Sequence, residues 1–392
     1  MNILHITPVF ITSLHGGVAV AAYELTKKLA GLGHSITVFT TTDSYSKTLR
    51  ITKDNILIEN INIKYFKNLS GALAYKYKVF LSPGMFLELN RSLQNFDIIH
   101  LHMLRTIQNI CAYHEAVKRK VPYIIHLHGS LSVEKRLKRV KVFYDRLIGY
   151  KILNGAAKII ALTNSEALKL KFLGISPDKI EIIPNGIDLS RYSSLPRVGS
   201  FREKYNIPID KKIVLYLGRI TANKRLDLLL RAFKIFDSHY SGKALLVIAG
   251  PDDGYMLQLN RLIKELDIAS KTLLLGYLDE TLKMECLTDS DVLVIPAFVG
   301  FPLTILEQLA CGKPVIITDK YDVIEGIHNN VGLVVKPDEK ALSDALSNIL
   351  LDDNKYESLR KNAIKFVRNF DWFSIAQRVD RVYKHVLDLS RK

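Results

Sequence analysis

Short runs of apolar residues alternate with longer stretches in which apolar positions recur every three or four residues, and this alternation fills both halves of the chain. A compact Val/Ile/Leu run predicts a buried strand, and the wider spacing predicts an amphipathic helix. In the first half the predicted strands are Asn2–Pro8, Ser35–Thr40, Ile98–His102, Tyr123–His128, Lys158–Leu162 and Ile180–Ile183. In the second half they are Ile213–Gly218, Ala244–Ala249, Thr272–Leu275, Val292–Ile295, Val315–Thr318 and Val331–Val335. Val18–Leu32 has helical spacing and stops at Gly33, a residue suited to a helix end. Nearly continuous apolar strands separated by helices predict parallel sheets covered on both faces, so the expected fold class is α/β, with two doubly wound parallel-sheet domains. Residues 188–208, with Ser193, Ser194, Pro196, Gly199 and Pro208, lack periodicity and read as a linker. The expected domains are therefore 1–190 and 191–370, followed by a C-terminal segment, 371–392, whose stretch Trp372–Leu389 is an amphipathic helix.

A length of 392 residues suits two domains of ordinary size. The chain has no run of eighteen apolar residues that would span a membrane. Its start, Met1–Phe10, has neither the basic flank nor the long apolar stretch of a signal peptide. Cys111, Cys286 and Cys311 lie far apart without metal-ligand spacing, which points to a reducing compartment and a cytoplasmic location. The charge changes this picture. There are 25 basic and 13 acidic residues up to Ser190, against 30 and 26 after it, so most of the net +16 sits in the first half. Such an excess implies an anionic partner: lipid headgroups, a phosphate-bearing substrate or nucleic acid. Nucleic acid is not expected, because the basic residues are not interleaved with aromatics as in a recognition module.

Twelve basic residues lie between Arg105 and Lys158, against Glu115, Glu134 and Asp145. Within this stretch Val133–Leu153 has helical periodicity, with Leu137, Val140, Tyr144, Leu147 and Ile148 on one face and Lys135, Arg136, Lys138, Arg139 and Lys141 crowding its start. Upstream, Leu69–Leu89 mixes Tyr75, Lys76, Tyr77, Lys78 and Phe80 with an expected turn at Ser82-Pro83-Gly84. Two readings are open: a basic amphipathic surface that docks on an anionic membrane, peripheral to its inner face, or a solvated basic face over an ordinary core stripe.

Open parallel sheets bind ligands at the carboxyl ends of their strands, where loops lead into helix N-termini. Gly16-Gly17 lies in such a loop, and glycine lets backbone amides approach an anion. After the strand that begins at Ile213, Gly218-Arg219 and then Lys224 place a planar fork and a point charge where they would clamp a diphosphate, or else remain solvated surface charges. After Ile295, Gly300-Phe301-Pro302 turns into a helix that begins Leu303-Thr304 and ends near Gly312. Its first amides would face phosphate oxygens. Glu307 would accept from ribose hydroxyls, or would only compensate the helix dipole. His100, His102, His126 and His128 end two strands. His128, beside Gly129, is placed for sugar contact or is a satisfied structural histidine, and no acid or cysteine stands near in sequence to complete a metal site.

With these residues in hand, the chain resembles the retaining glycosyltransferases of family 4, which have the GT-B fold of two Rossmann-like domains facing a cleft. The likeness runs through Gly16-Gly17, His128-Gly129, Asn185-Gly186-Ile187-Asp188, Gly218-Arg219 with Lys224, Gly250-Pro251, Gly276-Tyr277, the Glu307 helix and Ala310-Cys311-Gly312-Lys313-Pro314. The resemblance implies a nucleotide-diphosphate sugar (UDP-, GDP- or ADP-linked) as donor substrate, no cofactor, no metal, retention of anomeric configuration, and a glycan or lipid-linked acceptor. It implies that Arg219 and Lys224 bind the diphosphate, that Glu307 holds the ribose, and that His128 meets the donor sugar. Gly16, Gly17, Asn185, Gly218, Gly250, Tyr277, Leu278, Gly300, Phe301, Pro302, Leu303 and Thr304 would line the donor. It also implies that the last helix crosses back to the N-terminal domain. One departure stands out: the family often carries a first glutamate seven residues before Glu307, and Val299 occupies that position. That leaves an active enzyme with altered sugar contacts, or a catalytically impaired protein acting as a partner subunit.

Overall fold

The computed structural model describes residues 1–10, 17–42, 55–71, 73–74, 79–131, 138–240, 242–297, 301–318 and 325–390. The chain divides into two compact units. One is Met1–Asn185 together with Trp372–Lys392; the other is Gly186–Asp371. Both are parallel-sheet α/β units, as the alternating pattern predicts.

In the first unit the strands are β1 (Asn2–Ile6), β2 (Ser35–Thr41), β3 (Asn55–Ile58), β4 (Ile61–Phe66), β5 (Ile98–His102), β6 (Tyr123–His126), β7 (Lys158–Ala161) and β8 (Ile180–Ile182). They form one sheet in the order β3-β4-β2-β1-β5-β6-β7-β8. All its pairings are parallel except the hairpin β3–β4. The helices are α1 (Gly17–Gly31), α2 (Pro83–Ser92), α3 (Ile107–Arg119), α4 (Lys138–Tyr144), α5 (Tyr150–Gly155) and α6 (Asn164–Phe172).

The second unit has β9 (Lys212–Leu217), β10 (Ala244–Ala249), β11 (Thr272–Leu274), β12 (Val292–Ile295), β13 (Val315–Thr318) and β14 (Gly332–Val335), in the order β11-β10-β9-β12-β13-β14 and parallel throughout. Its helices are α7 (Ser200–Lys204), α8 (Leu226–His239), α9 (Met256–Glu265), α10 (Glu280–Asp289), α11 (Leu303–Ala310), α12 (Glu339–Leu350) and α13 (Asp353–Val367). The last helix, α14 (Trp372–Ser390), belongs to the first unit. Its Trp372, Ile375, Val379 and Tyr383 join Ile3, Leu25, Ile36 and Ile98 in one buried cluster.

Four sequence expectations need correcting. The alternating polar run of β3 and β4 hides a hairpin, whose turn residues Glu59 and Asn60 both take left-handed backbone angles. Only one of its faces is buried, which dilutes the apolar signal. Ser82-Pro83-Gly84 starts α2 rather than forming a free turn: Pro83 is the first helical residue, where a missing N–H costs nothing, and Met85 and Leu89 bury against the core. The expected linker contains the short helix α7, whose Phe201 is fully buried. The expected continuous helix Val133–Leu153 is broken. Residues 132–137 fall outside those described, and one π-helical turn, Asp145–Gly149, separates α4 from α5. A π turn inserts an extra residue and rotates the downstream helix relative to the upstream one, so the predicted face splits. Val140 and Leu147 are exposed, while Tyr144 and Ile148 are partly buried.

Packing of α14 decides the stability of the first unit. Ile375 is fully buried, and truncating a buried Ile to Ala costs about 2–5 kcal/mol. Trp372 is the chain's single tryptophan, so its fluorescence follows this unit alone. Ile375→Ala should move the Trp372 urea midpoint clearly downward; an unchanged midpoint would show that α14 packs elsewhere.

Candidate functional site

In the second unit the strand order reverses between β9 and β12: β10 and β11 continue from β9 on one side, β13 and β14 from β12 on the other. Loops leaving the carboxyl ends of two such strands diverge and open a crevice. The β9 loop carries Gly218, Arg219 and Lys224, and the β12 loop leads through Phe301 and Pro302 into α11. The buried Tyr216 fixes the first loop by donating its hydroxyl to the Arg219 carbonyl at 2.8 Å. The β9 and β10 loops then run side by side: Gly218 N–H donates to Ala249, and Ile220 N–H to Pro251. Gly250, at φ 141°, lies so close that an added Cβ would come within 1.9 Å of the Gly218 carbonyl oxygen, so only glycine fits there.

Arg219 Nη1 donates to Asp253 at 2.9 Å, and both side chains are about half exposed. A pair so exposed is worth about 0–1 kcal/mol. The guanidinium can therefore exchange Asp253 for a more highly charged ligand at little cost. Lys224 ends a 3₁₀ turn, Ala222–Lys224, and is partly buried.

Helix α11 begins after the extended residue Pro302. Its first-turn amides, at Leu303 and Thr304, have no carbonyl within the helix to bond. The Thr304 hydroxyl oxygen is buried without a hydrogen-bond partner, and Phe301 is buried as well. Glu307, one turn further on, accepts from Lys283 of α10 at 2.9 Å, and Glu280 shares that lysine at 3.0 Å. Burial would lower the Lys283 pKa, but the two carboxylates outweigh it and the net shift is upward. Sequence reading passes over Lys283, since a lone lysine on a helix looks like a solvated charge. Tyr277 is exposed and Leu278 buried, following β11.

The first unit gathers five histidines on one face of its sheet. His5 of β1 lies opposite His100 of β5, and His102 lies opposite His126 of β6. His128 follows β6 in a left-handed conformation, φ 51°, which ends the strand two residues before the sequence pattern predicts. Gly129 N–H donates to Glu166 Oε1 at 3.0 Å, and Leu162 N–H to Glu166 Oε2 at 2.9 Å. That single buried carboxylate ties together the tips of β6 and β7. Glu166 is missed from sequence, although Thr163 three residues earlier, which caps α6, carries the capping-box signal. Asn185, at the end of this unit, is buried with an unpartnered Oδ1. The nitrogens of His5, His100 and His102, and those of His102, His126 and His128, lie within 4.8 Å of one another, a convergence that the sequence spacing did not reveal. Burial lowers all five imidazole pKa values, to about 3 for His5 and His128 and well below the ordinary value for the other three.

Gly17 opens α1 and is exposed. Gly16, Val299, Gly300, Lys135 and Arg136 lie outside the described residues, as does the Lys138 side chain; Arg139 is exposed on α4. Part of the basic excess is spent inside the fold: Arg105 pairs with Asp145, Arg119 with Glu115, and Lys158 with Glu181.

Two parallel-sheet α/β units, the second with Arg219, Lys224 and a helix N-terminus on its strand-end loops, define a class of two-domain α/β proteins. Comparison narrows the class. The family model described as Glycosyltransferase Family 4 matches residues 15–191, and that described as Glycosyl transferases group 1 matches 199–366. The chain is a family 4-like glycosyltransferase of the GT-B type. It is 25% identical to D-inositol 3-phosphate glycosyltransferase 2 of Catenulispora acidiphila, over 95% of this chain and 91% of that one. It is 27% identical, over 76% of each chain, to an Escherichia coli enzyme named UDP-Gal:alpha-D-GlcNAc-diphosphoundecaprenol alpha-1,3-galactosyltransferase. Among solved structures, Anabaena HepE in complex with UDP and glucose superposes with a TM-score of 0.78 at 19% identity, over 98% of this chain and all of that one.

The buried histidines make the first unit sensitive to mild acid. Their pKa values are lower folded than unfolded, so below the ordinary imidazole value the unfolded chain binds more protons and stability falls with pH. Each histidine held neutral loses roughly 1 kcal/mol of stability between pH 6.5 and 5.5. The melting temperature reported by Trp372 should drop steeply across that interval, above the carboxylate range; a flat profile would mean that these rings are charged or solvated in the fold.

Proposed function

We propose that this glycosyltransferase binds a nucleoside-diphosphate sugar on its second unit and transfers the sugar with retention of configuration, without a metal ion, to an acceptor met by the first unit. The observation that carries the reading is the pairing of loops at the strand reversal of the second sheet. Arg219 and Lys224 follow β9, and the α11 N-terminus with the unpartnered Thr304 hydroxyl follows β12. Guanidinium, ammonium and helix amides supply the charge that a departing diphosphate needs. Glu307, held by Lys283, is close enough to the start of α11 to reach ribose hydroxyls. His128 is assigned to the donor sugar, and Gly16, Gly17, Asn185, Gly218, Gly250, Tyr277 and Leu278 are assigned to the donor as well. The E. coli relative is named for a UDP-linked donor, and a UDP-, GDP- or ADP-sugar fits the same chemistry. Val299 favours altered reading of sugar hydroxyls over loss of activity, because the cations and His128 are retained.

The acceptor side is proposed to work at the cytoplasmic face of a membrane. Among the described residues no helix is long and apolar enough to cross one. On α4 and the π turn, however, Val140, Val142, Phe143 and Leu147 are 49–65% exposed, interleaved with Arg139, Lys141 and Arg146. Tyr144, bonded to the Leu104 carbonyl, and Asp145, paired with Arg105, hold this segment on the unit. Apolar side chains ringed by cations suit an anionic interface. The Catenulispora and E. coli relatives are named for acceptors that carry phosphate, one of them a diphosphoundecaprenol-linked sugar.

Arg219→Ala and Lys224→Ala should each lower turnover roughly 10²–10³-fold with the fold intact, and wild-type turnover should persist in excess EDTA. Thermal stabilisation by UDP-, GDP- and ADP-sugars, measured first, selects the donor for these assays. Near-normal rates in both variants, or loss of activity in EDTA restored by Mg²⁺ or Mn²⁺, would refute the clamp. Sedimentation should show binding to anionic but not neutral vesicles, weakened by salt, by Phe143→Ser and by Lys135/Arg136/Lys138/Arg139→Gln. Equal binding to both vesicle types, or to neither, would refute membrane docking.

A further inference from the structure

The turn between β10 and α9 carries two adjacent aspartates with different partners. Asp252 Oδ1 accepts from the amides of Gly254, Tyr255 and Met256 at 3.0, 3.0 and 3.1 Å, so its carboxylate is committed to the start of α9. Asp253 serves Arg219 instead. Its Oδ2 accepts from Arg219 Nη1 at 2.9 Å, in the half-exposed pair described above.

Backbone bonds fix this meeting. Ile220 N–H donates to the Pro251 carbonyl, and Asp253 N–H donates back to the Ile220 carbonyl, both at 2.9 Å. Ile220 and Asp252 pair there in a parallel bridge, and the Tyr216 hydroxyl holds the Arg219 carbonyl. Arg219 and Asp253 therefore stand on backbones that are tied to each other. An aspartate has only two side-chain torsions, so its carboxylate cannot move far from the guanidinium. The ion pair is not what joins the loops, because the backbone bonds already do so and an exposed pair adds little stability. What the pair does control is the state of the guanidinium.

A guanidinium fork binds carboxylate and phosphate oxygens through the same N–H groups. The bond from Nη1 to Asp253 and a bond from Nη1 to a phosphate oxygen therefore exclude each other. A ligand that needs an engaged group binds more weakly, in proportion to the fraction of time that the group is free. An exposed ion pair of this kind leaves the guanidinium free about one sixth to one half of the time, and so lowers the affinity for a diphosphate about two- to sixfold.

We propose that Asp253 is an internal competitor for the Arg219 guanidinium: it holds Arg219 while the site is empty, yields it to the diphosphate of the donor, and takes it back as the nucleoside diphosphate leaves. This rests on the proposed place of Arg219 in the diphosphate clamp. Donor and product share the diphosphate, so the competition weakens both. The donor KM and the constant for inhibition by product rise together, and the site stays exchangeable between turnovers.

The test titrates the full chain with UDP, GDP and ADP in a calorimeter, in metal-free buffer, and continues with the nucleotide that binds the wild type. Asp253→Asn keeps the shape of the side chain and removes its charge. It should tighten that nucleotide about two- to sixfold, and the donor KM should fall by a similar factor. In an Arg219→Ala background there is no guanidinium to compete for, and the gain from Asp253→Asn should largely disappear. Equal tightening in both backgrounds would show long-range repulsion and overturn the proposal. Unchanged binding by a folded Asp253→Asn would overturn it too, and so would weaker binding, which would make Asp253 a brace for the guanidinium. Asp253→Ala should behave alike and serves if the asparagine variant misfolds. If Arg219→Ala binds as tightly as the wild type, or the wild type binds none of the three nucleotides, the diphosphate reading of Arg219 fails and this proposal falls with it. If Arg219→Ala weakens binding and Asp253→Asn changes nothing, this proposal falls alone.

Discussion

Parallel pairing of strands buried on both faces is the constraint that creates the site. When all strands of a sheet point the same way, their carboxyl ends and the loops that leave them share one edge. In the second unit this gathers the turn after β9 and the start of α11 at one place, although they are about eighty residues apart. In the first unit it aligns His5, His100, His102 and His126 across three neighbouring strands. Side chains alternate along a strand, so the His-x-His spacing on β5 puts both rings on one face, and the parallel register supplies the others.

Close backbone approach then refines what the pairing gathers. The Gly250–Gly218 contact lets two loops run together, and Tyr216 and the paired backbone bonds hold the Arg219 turn rigid. The Arg219 side chain at that turn is held loosely, in a half-exposed pair with Asp253. A rigid loop with exchangeable side-chain partners suits a site that must take up a charged ligand and let its product go. The histidine face of the first unit is built the other way: its rings are dry and neutral, and four of the five are hydrogen-bonded within the cluster or to Tyr383.

The composition of that dry face is unusual in energetic terms. Five imidazoles in a protein interior require partners or carry a penalty. Most of the demand is met within the cluster and by Tyr383, while both nitrogens of His126 and one nitrogen each of His100 and His128 go unpaired. The helix that brings Tyr383 is also the one that packs Trp372 and Ile375 against Ile3 and Ile98, on the same face of the sheet as His5 and His100. Chain ends distant in sequence are thus joined by apolar packing and by hydrogen bonds to that cluster.

The sequence alone determined the two-sheet architecture, most of the strands and the loops that carry Gly218, Arg219, Lys224 and the α11 start, because buried parallel strands and helix-start signals are local patterns of residue type. The β3–β4 hairpin escaped it, since one buried face gives only half the apolar signal. The π turn escaped because it rotates a helix without altering its composition. Lys283 was not legible because a charged residue on a helix looks the same whether it faces water or grips a neighbour, and the capping-box signal at Thr163 does not reveal that Glu166 also reaches Gly129. His5 and Tyr383 were beyond reach for a different reason: one lies alone in the first strand and the other in the last helix, and only the tertiary fold sets them within hydrogen-bond distance. Hydrogen-bond partnership depends on positions in space to within a few tenths of an ångström, and no spacing along the chain encodes that across nearly four hundred residues.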